Sequence, residues 1–273
     1  MSNLIGYSIR MRSEEEPPLP TSTRQRAVIT GASSGIGREF ARRYAREGFD
    51  VVLVARSEPT LRALTSELAD RYGIEATVYA ADLSDAAAVA GLATFIGEIP
   101  RIDHLVNCAG LAPEGDLSRS NDQGLRTMID VNITALTLLT RAAAVRMRAV
   151  RSGTIINVAS GAGYQPTPYL AAYGASKSYV RMFTEAVHEE NRRHGIRILA
   201  VSPGDTETPM NPGATKGKRQ PEQVVDTAWR ALAGSAPSVV DGRSNRAVAI
   251  ASSRFIPRRA GLRIAEKMFR HKA

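Results

Sequence analysis

From Arg26 onward, short β-branched apolar runs alternate with longer stretches whose apolar residues recur every three or four positions. The runs AVIT (27–30), DVVLVA (50–55), ATVYAA (76–81), DHLVN (103–107), GTIINVAS (153–160) and IRILAVS (196–202) predict six strands. Near-continuous apolar runs of this length suit strands buried on both faces. Segments between them, such as IGREFARRYAREG, predict amphipathic helices, there with Gly48 as a C-cap. Regular alternation of strand and helix predicts a parallel sheet covered on both faces, with right-handed crossovers. One doubly wound α/β domain accounts for residues 25–242. Residues 1–24, with a Glu-Glu-Glu-Pro-Pro cluster, read as a poorly ordered extension, and residues 243–273 as a basic C-terminal extension.

Composition narrows the classes of function. At 273 residues, 43% hydrophobic and 23% charged, the chain has an ordinary globular composition with a sizeable core. No run of eighteen apolar residues appears, so no spanning helix is expected. The N-terminus lacks the apolar stretch of a signal peptide. The only cysteine, Cys108, excludes an internal disulfide, and the four histidines show no metal-ligand spacing, so no metal is expected. A reduced, cytoplasmic location follows. The net charge of +9 raises nucleic acid, a membrane surface or an anionic ligand as partners. No zinc-finger or aromatic RNA-binding pattern accompanies it, so nucleic acid is not expected.

The chemistry starts after the first strand, at TGASSGIG (30–37). Gly31, Gly35 and Gly37 permit a tight strand-to-helix turn and a close backbone approach, and a helix N-terminus presents free N–H groups to a pyrophosphate. A Gly/Ser-rich loop without a ligand is the alternative; the strand before and the helix after favour phosphate. With this motif the chain resembles the short-chain dehydrogenase/reductase family, whose nucleotide signature is TGxxxGxG. The resemblance implies a Rossmann domain in which Gly31, Ser33, Ser34, Gly35, Ile36 and Gly37 hold a dinucleotide. Members preferring NAD usually carry an acidic residue at the end of strand two. Here Ala55 and Arg56 stand in that place. A guanidinium can pair with a 2′-phosphate, so NADP(H) is expected over NAD(H), although Ser34 stands where some NADP-preferring members have a second basic residue. Asp82, with Leu83 beside it, matches the family's adenine contact; an N-cap for the next helix is the other reading. VNCAG (106–110) resembles the family's NNAG turn, which assigns Asn107, Ala109 and Gly110 to the cofactor and leaves Cys108 as a small packed residue.

The same resemblance supplies the catalytic set. Tyr173 and Lys177 are four residues apart, one turn along a single helix face. Ser160 lies thirteen positions before Tyr173, and Asn132 sits in MIDVNITAL, both at the family's places. Reduction of a ketone needs a hydride and a proton for the developing alkoxide. A phenol with pKa of about 10 needs help to act near neutrality, which the Lys177 ammonium and the positive charge of the oxidised nicotinamide are together expected to give by lowering it. Ser160 would steady the carbonyl oxygen, and the asparagine would hold a water linking the lysine to solvent. Pro203, Gly204, Thr206 and Thr208 in SPGDTETPM match the family's turn beside the nicotinamide. NPGATKGKRQ after it reads either as a substrate lid or as a solvated loop. AGYQPTPYL (162–170) is expected to form an apolar substrate wall, with Tyr164, Pro166, Pro168 and Leu170, alongside Ser160 and Tyr173 at the carbonyl. The expectation is an oxidoreductase for a lipophilic ketone, active as a homodimer or homotetramer. A catalytically silent dinucleotide-binding regulator or scaffold is the alternative; an extended-type epimerase fits the glycine spacing less well. Residues 258–272 wind into a basic amphipathic helix, to be packed on the body or laid on a membrane, with packing favoured.

Overall fold

A computed structural model of the protein describes residues 24–213 and 217–270. The six expected strands form as β1 (Arg26–Thr30), β2 (Asp50–Ala55), β3 (Ala76–Ala80), β4 (His104–Asn107), β5 (Gly153–Val158) and β6 (Ile196–Ser202). A seventh, β7 (Ser238–Val240), was not expected: it is only three residues long, too short for a period to show. The sheet is wholly parallel, in the order β3-β2-β1-β4-β5-β6-β7. That order reverses direction between β1 and β4. The crevice beyond the strand ends at such a switch point is where open α/β sheets bind ligands.

Side chains alternate between the two faces, and each face has its own core. Ala27, Ile29, Val51 and Leu53 pack beneath α1 (Gly35–Arg46), α2 (Glu58–Tyr72) and α7 (Pro221–Leu232). Val28, Val52, Val54 and Leu105 pack beneath α3 (Ala86–Glu98) and α5 (Leu136–Val150). Helix α1 ends at Arg46 with Glu47 as its cap, and Gly48 follows in the left-handed region at φ +82°. Helix α4 (Asp122–Ile129) runs through a π-helical turn, Asp130–Ala135, into α5. By length and composition the run Asp122–Val150 could cross a bilayer, yet half of its apolar window is buried, with Leu139, Ala143 and Met147 in the core.

Helix α6 (Ala171–Arg192) carries the Tyr173–Lys177 pair. Helices α8 (Arg243–Arg254) and α9 (Arg258–Phe269) close the described chain, and Ala249 and Ala265 on them are buried. Most of the expected extension, residues 1–23, lies outside the described residues.

Candidate active site

The cleft at the switch point measures about 580 Å³ and is built on the first turn of the fold. At the end of β1, the Thr30 hydroxyl accepts hydrogen bonds from the N–H groups of Cys108 (3.0 Å) and Ala109 (3.1 Å), which ties the β1 and β4 ends together. Gly31, at φ +67°, then passes so close that a Cβ there would stand 2.9 Å from the Ala109 nitrogen. At Gly37 a Cβ would stand 2.2 Å from the Gly31 oxygen. No side chain fits at either place. Ser34 enters α1 extended and makes no side-chain capping bond, and the first turn holds no acidic residue. A helix start with spare N–H groups and no competing carboxylate suits a phosphate. The cradle therefore fits a dinucleotide.

Towards the β2 end, Arg56, Ser57, Asp82 and Leu83 line the cleft. Ser57 escaped the sequence reading, although a serine directly before Glu58-Pro59 is a helix-start signal. It places a hydroxyl and the α2 N-terminus next to the exposed Arg56. Asp82 does not cap α3; that is Asp85, which accepts from the Ala88 N–H at 2.9 Å. Bonds from the Ser84 N–H (2.9 Å) and hydroxyl (2.8 Å), with Arg56 nearby, hold the Asp82 carboxyl below the usual range.

Ala109 and Gly110 line the cleft, but Asn107 does not. Its amide donates to Thr140 Oγ1 (3.0 Å) and Asn157 Oδ1 (2.9 Å), and Asn157 in turn donates to Thr184 Oγ1 (3.0 Å). This buried chain stitches β4 and β5 to α5 and α6, so Asn107 is spent on the core. Burial pushes the Cys108 thiol up to about 12, which keeps it protonated at neutral pH and fits a packed residue better than a nucleophile.

At the β5 end, Ser160, Tyr173 and Lys177 meet in the cleft. Ser160 and Tyr173 stand close enough for the serine hydroxyl to act on the phenol. Ser160 Oγ also accepts from the Ala162 N–H at 3.2 Å. Lys177 is 5% exposed; its Nζ lies 5.8 Å from the centre of the Tyr173 ring and donates to the Val158 carbonyl at 2.9 Å. Burial lowers the Lys177 pKa to about 8. Lys177 by itself does not lower the Tyr173 pKa. Burial raises that pKa above the ordinary phenol value, and the nearby Ser160 hydroxyl opposes that only in part.

Asn132 belongs to the π turn, a distortion frequent at functional sites. It is fully buried beside Gly110, where an added Cβ would stand 3.3 Å from Asn132 Oδ1 and 3.4 Å from Lys177 Nζ. Its side chain accepts from the Leu111 N–H (2.8 Å) and donates to the Leu111 carbonyl (2.9 Å) and Ser176 Oγ (3.0 Å). Those bonds occupy both amide hydrogens, so the side chain fixes the segment after Gly110 instead of reaching into the cleft.

Pro203, Gly204, Thr206 and Thr208 line the opposite wall. Thr208 reaches the phosphate loop, 3.1 Å from where a Gly35 Cβ would be. The KGKR cluster proves structural at its described end. Lys218 pairs with Glu207 at 3.2 Å, and Arg219 exchanges backbone bonds with Asp205 and Glu207. The Arg219 guanidinium grips the fully buried Asp241 (Nη2 to Oδ1 2.9 Å), which also accepts from the Thr227 hydroxyl at 2.6 Å. The expected substrate wall is different. Tyr164 packs against the Arg181 guanidinium, 4.7 Å from the ring centre, and neither it nor Pro166, Pro168 or Leu170 lines the cleft. Leu111, Ala112, Val131, Pro209 and Met210 take that place.

A switch-point cleft with a glycine cradle and a Tyr–Lys pair defines the class: a dinucleotide-binding oxidoreductase. The family model for short chain dehydrogenases matches residues 25–219, and the chain belongs to that family, acting on CH–OH groups. An uncharacterized oxidoreductase of Staphylococcus epidermidis is 35% identical over 210 residues, 76% of this chain and 90% of the relative. The very-long-chain 3-oxoacyl-CoA reductase of Anas platyrhynchos is 34% identical over 194 residues, 68% of this chain and 61% of that one. A solved short-chain dehydrogenase from Sphingobium yanoikuyae, in complex with NADPH, superposes with a TM-score of 0.78 at 32% identity, over 84% of this chain and 93% of its own.

Proposed function

We propose that the protein is an NADP(H)-dependent reductase of lipophilic ketones, with Tyr173 as proton donor. The observation that carries this is the half-buried Tyr173, which shares the glycine-walled cleft with Ser160 and has Lys177 Nζ 5.8 Å from its ring centre. A bound NADPH supplies the hydride. The chain's own residues do the rest. Ser160 holds the carbonyl oxygen and steadies its growing charge. Tyr173, kept protonated by its burial, gives the phenolic proton to that oxygen. Lys177, at about 8, retains much of its charge near neutrality and assists the return of a proton to the phenolate. Asn132 acts as a positioning residue, through Leu111 and Ser176.

Arg56 and Ser57, side by side at the cleft rim after Ala55, which ends β2 where NAD-preferring members carry an acidic residue, support NADP(H) over NAD(H). The apolar wall of Leu111, Val131 and Met210 supports a lipophilic substrate, as does the likeness to a reductase of very-long-chain 3-oxoacyl-CoA. We further propose a homo-oligomer, since α5 and α6 expose Leu138, Val145 and Met182. A panel of bulky ketones and long-chain 3-oxo thioesters, read by NADPH absorbance, tests the function. Consumption by apolar members supports it. A protein that binds NADPH but consumes none across the panel would instead be a dinucleotide-binding regulator.

A further inference from the structure

Helices α8 and α9 lie beyond the family-matched residues 25–219. Residues 243–273 hold nine of the 36 basic residues of the chain but only one of the 27 acidic ones, Glu266. The segment thus carries +8 of the net +9, and the rest of the chain is nearly neutral.

This charge is displayed from a fixed platform. On α8, Asn245 lies flat on Gly204, where an added Cβ would stand 2.0 Å from Asn245 Nδ2. On α9, Ala265 is buried, and Glu266 accepts from the Tyr169 hydroxyl at 3.1 Å while pairing with Arg270 at 2.8 Å. Of the apolar stripe expected to pack, Leu262, Ile264, Ala265, Met268 and Phe269, only Ala265 is buried. The outer faces remain apolar in part: Phe255 is 76% exposed, Val248 56%, Met268 53% and Ile264 52%. At 100° per residue, Ile264 and Met268 share one flank of α9, and Arg259, Arg263 and Lys267 occupy the adjoining one. Those three cations make no salt bridge among the described residues.

Exposed Phe, Ile and Met beside unpaired cations need an occupant that takes both. A second copy would bring a like +8 surface against this one and meet repulsion. Nucleic acid would satisfy the cations but offer little to aliphatic side chains. An anionic bilayer attracts the arginines and accepts the apolar side chains below its headgroups. We propose that the outer faces of α8 and α9 form a docking surface for an anionic phospholipid bilayer. The surface adjoins the cleft through Gly204, so a docked enzyme holds its site beside the lipid. The proposal stands on charge and exposure and does not depend on the substrate.

Co-sedimentation of the full chain with vesicles tests it. Phosphatidylglycerol-containing vesicles should retain the protein at low salt, pure phosphatidylcholine vesicles should not, and high salt should release it. Replacing Arg259, Arg263 and Lys267 together by Glu should weaken retention by more than ~100-fold, taking roughly fivefold per lost cation. Ile264→Ser with Met268→Ser should weaken it as well with the charge intact. Circular dichroism melts of both variants identify any that fail to fold, and truncation at residue 242 then replaces them. No retention of the wild type at low salt, or equal retention of the charge-reversed protein, overturns the proposal. So does a change in particle mass on the apolar substitutions without vesicle binding, which would make the face a subunit interface.

Discussion

At the scale of residues, the site separates side chains by what surrounds them. Arg56 is exposed at the rim, where it can meet a 2′-phosphate from solvent. Arg56→Ala should raise KM for NADPH about tenfold or more, the worth of one charge-assisted hydrogen bond, and leave KM for NADH little changed. Steady-state kinetics with the two cofactors check this; equal losses would show that Arg56 does not read the phosphate. His104 is the opposite case. Buried against the Tyr44 hydroxyl, with Nδ1 at 2.8 Å, its imidazole is pushed down to about 4. The unfolded chain, with a histidine pKa near 6.5, takes up this proton first as the pH falls. His104 therefore contributes stability that is present above pH of about 6.5 and lost as pH falls from there towards 4. Between pH 7 and 5 the loss should approach about 2 kcal/mol. Denaturant unfolding at both pH values should show a smaller drop in His104→Asn.

At the scale of elements, the loop after β6 is clamped more firmly than its glycines and prolines suggested. The Arg219–Asp241 pair ties the loop's far end to the segment after β7, and Asp241 also holds Ser202 through its N–H at 3.0 Å. Asp241→Asn should cost about 3 kcal/mol, the lower end of the range for breaking a buried pair, because Arg219 is partly exposed. Slackening Pro203–Thr208 should also raise cofactor KM more than it lowers kcat, which a loss of stability alone would not do. None of this was legible from residues 216–219, because a KGKR run looks the same solvated or pinned. The partner Asp241 stands more than twenty positions away, after a strand too short to read. The phosphate loop was legible for the converse reason. Gly37 is required by a contact within the loop itself, with the Gly31 carbonyl, while the approaches of Ala109 to Gly31 and of Thr208 to Gly35 are long-range. Tyr164 was misplaced because chain proximity to the serine does not say which way a side chain turns. A partner on α6, Arg181, draws it away from the cleft.

At the scale of the molecule, six strands were accessible because buried parallel strands write themselves as apolar runs. The asparagines were harder to read. Asn107 and Asn132 have the right types at the right places, yet their amides are consumed by partners 21 to 50 positions away. Spacing along the chain could not reveal that. The proposed assembly also belongs at this scale. Light scattering should give a mass of two or four chains, and exchanging Val145 and Met182 for Glu should reduce it; a monomeric wild type would remove the proposal. The central claim is that one phenol serves as proton donor beside a bound dinucleotide. The most direct measurement compares Tyr173→Phe with the wild type on a ketone that the wild type reduces, together with NADPH affinity by fluorescence. The account predicts a turnover lower by about 10²- to 10⁴-fold, with NADPH affinity retained. Near-normal turnover in the phenylalanine enzyme would contradict it.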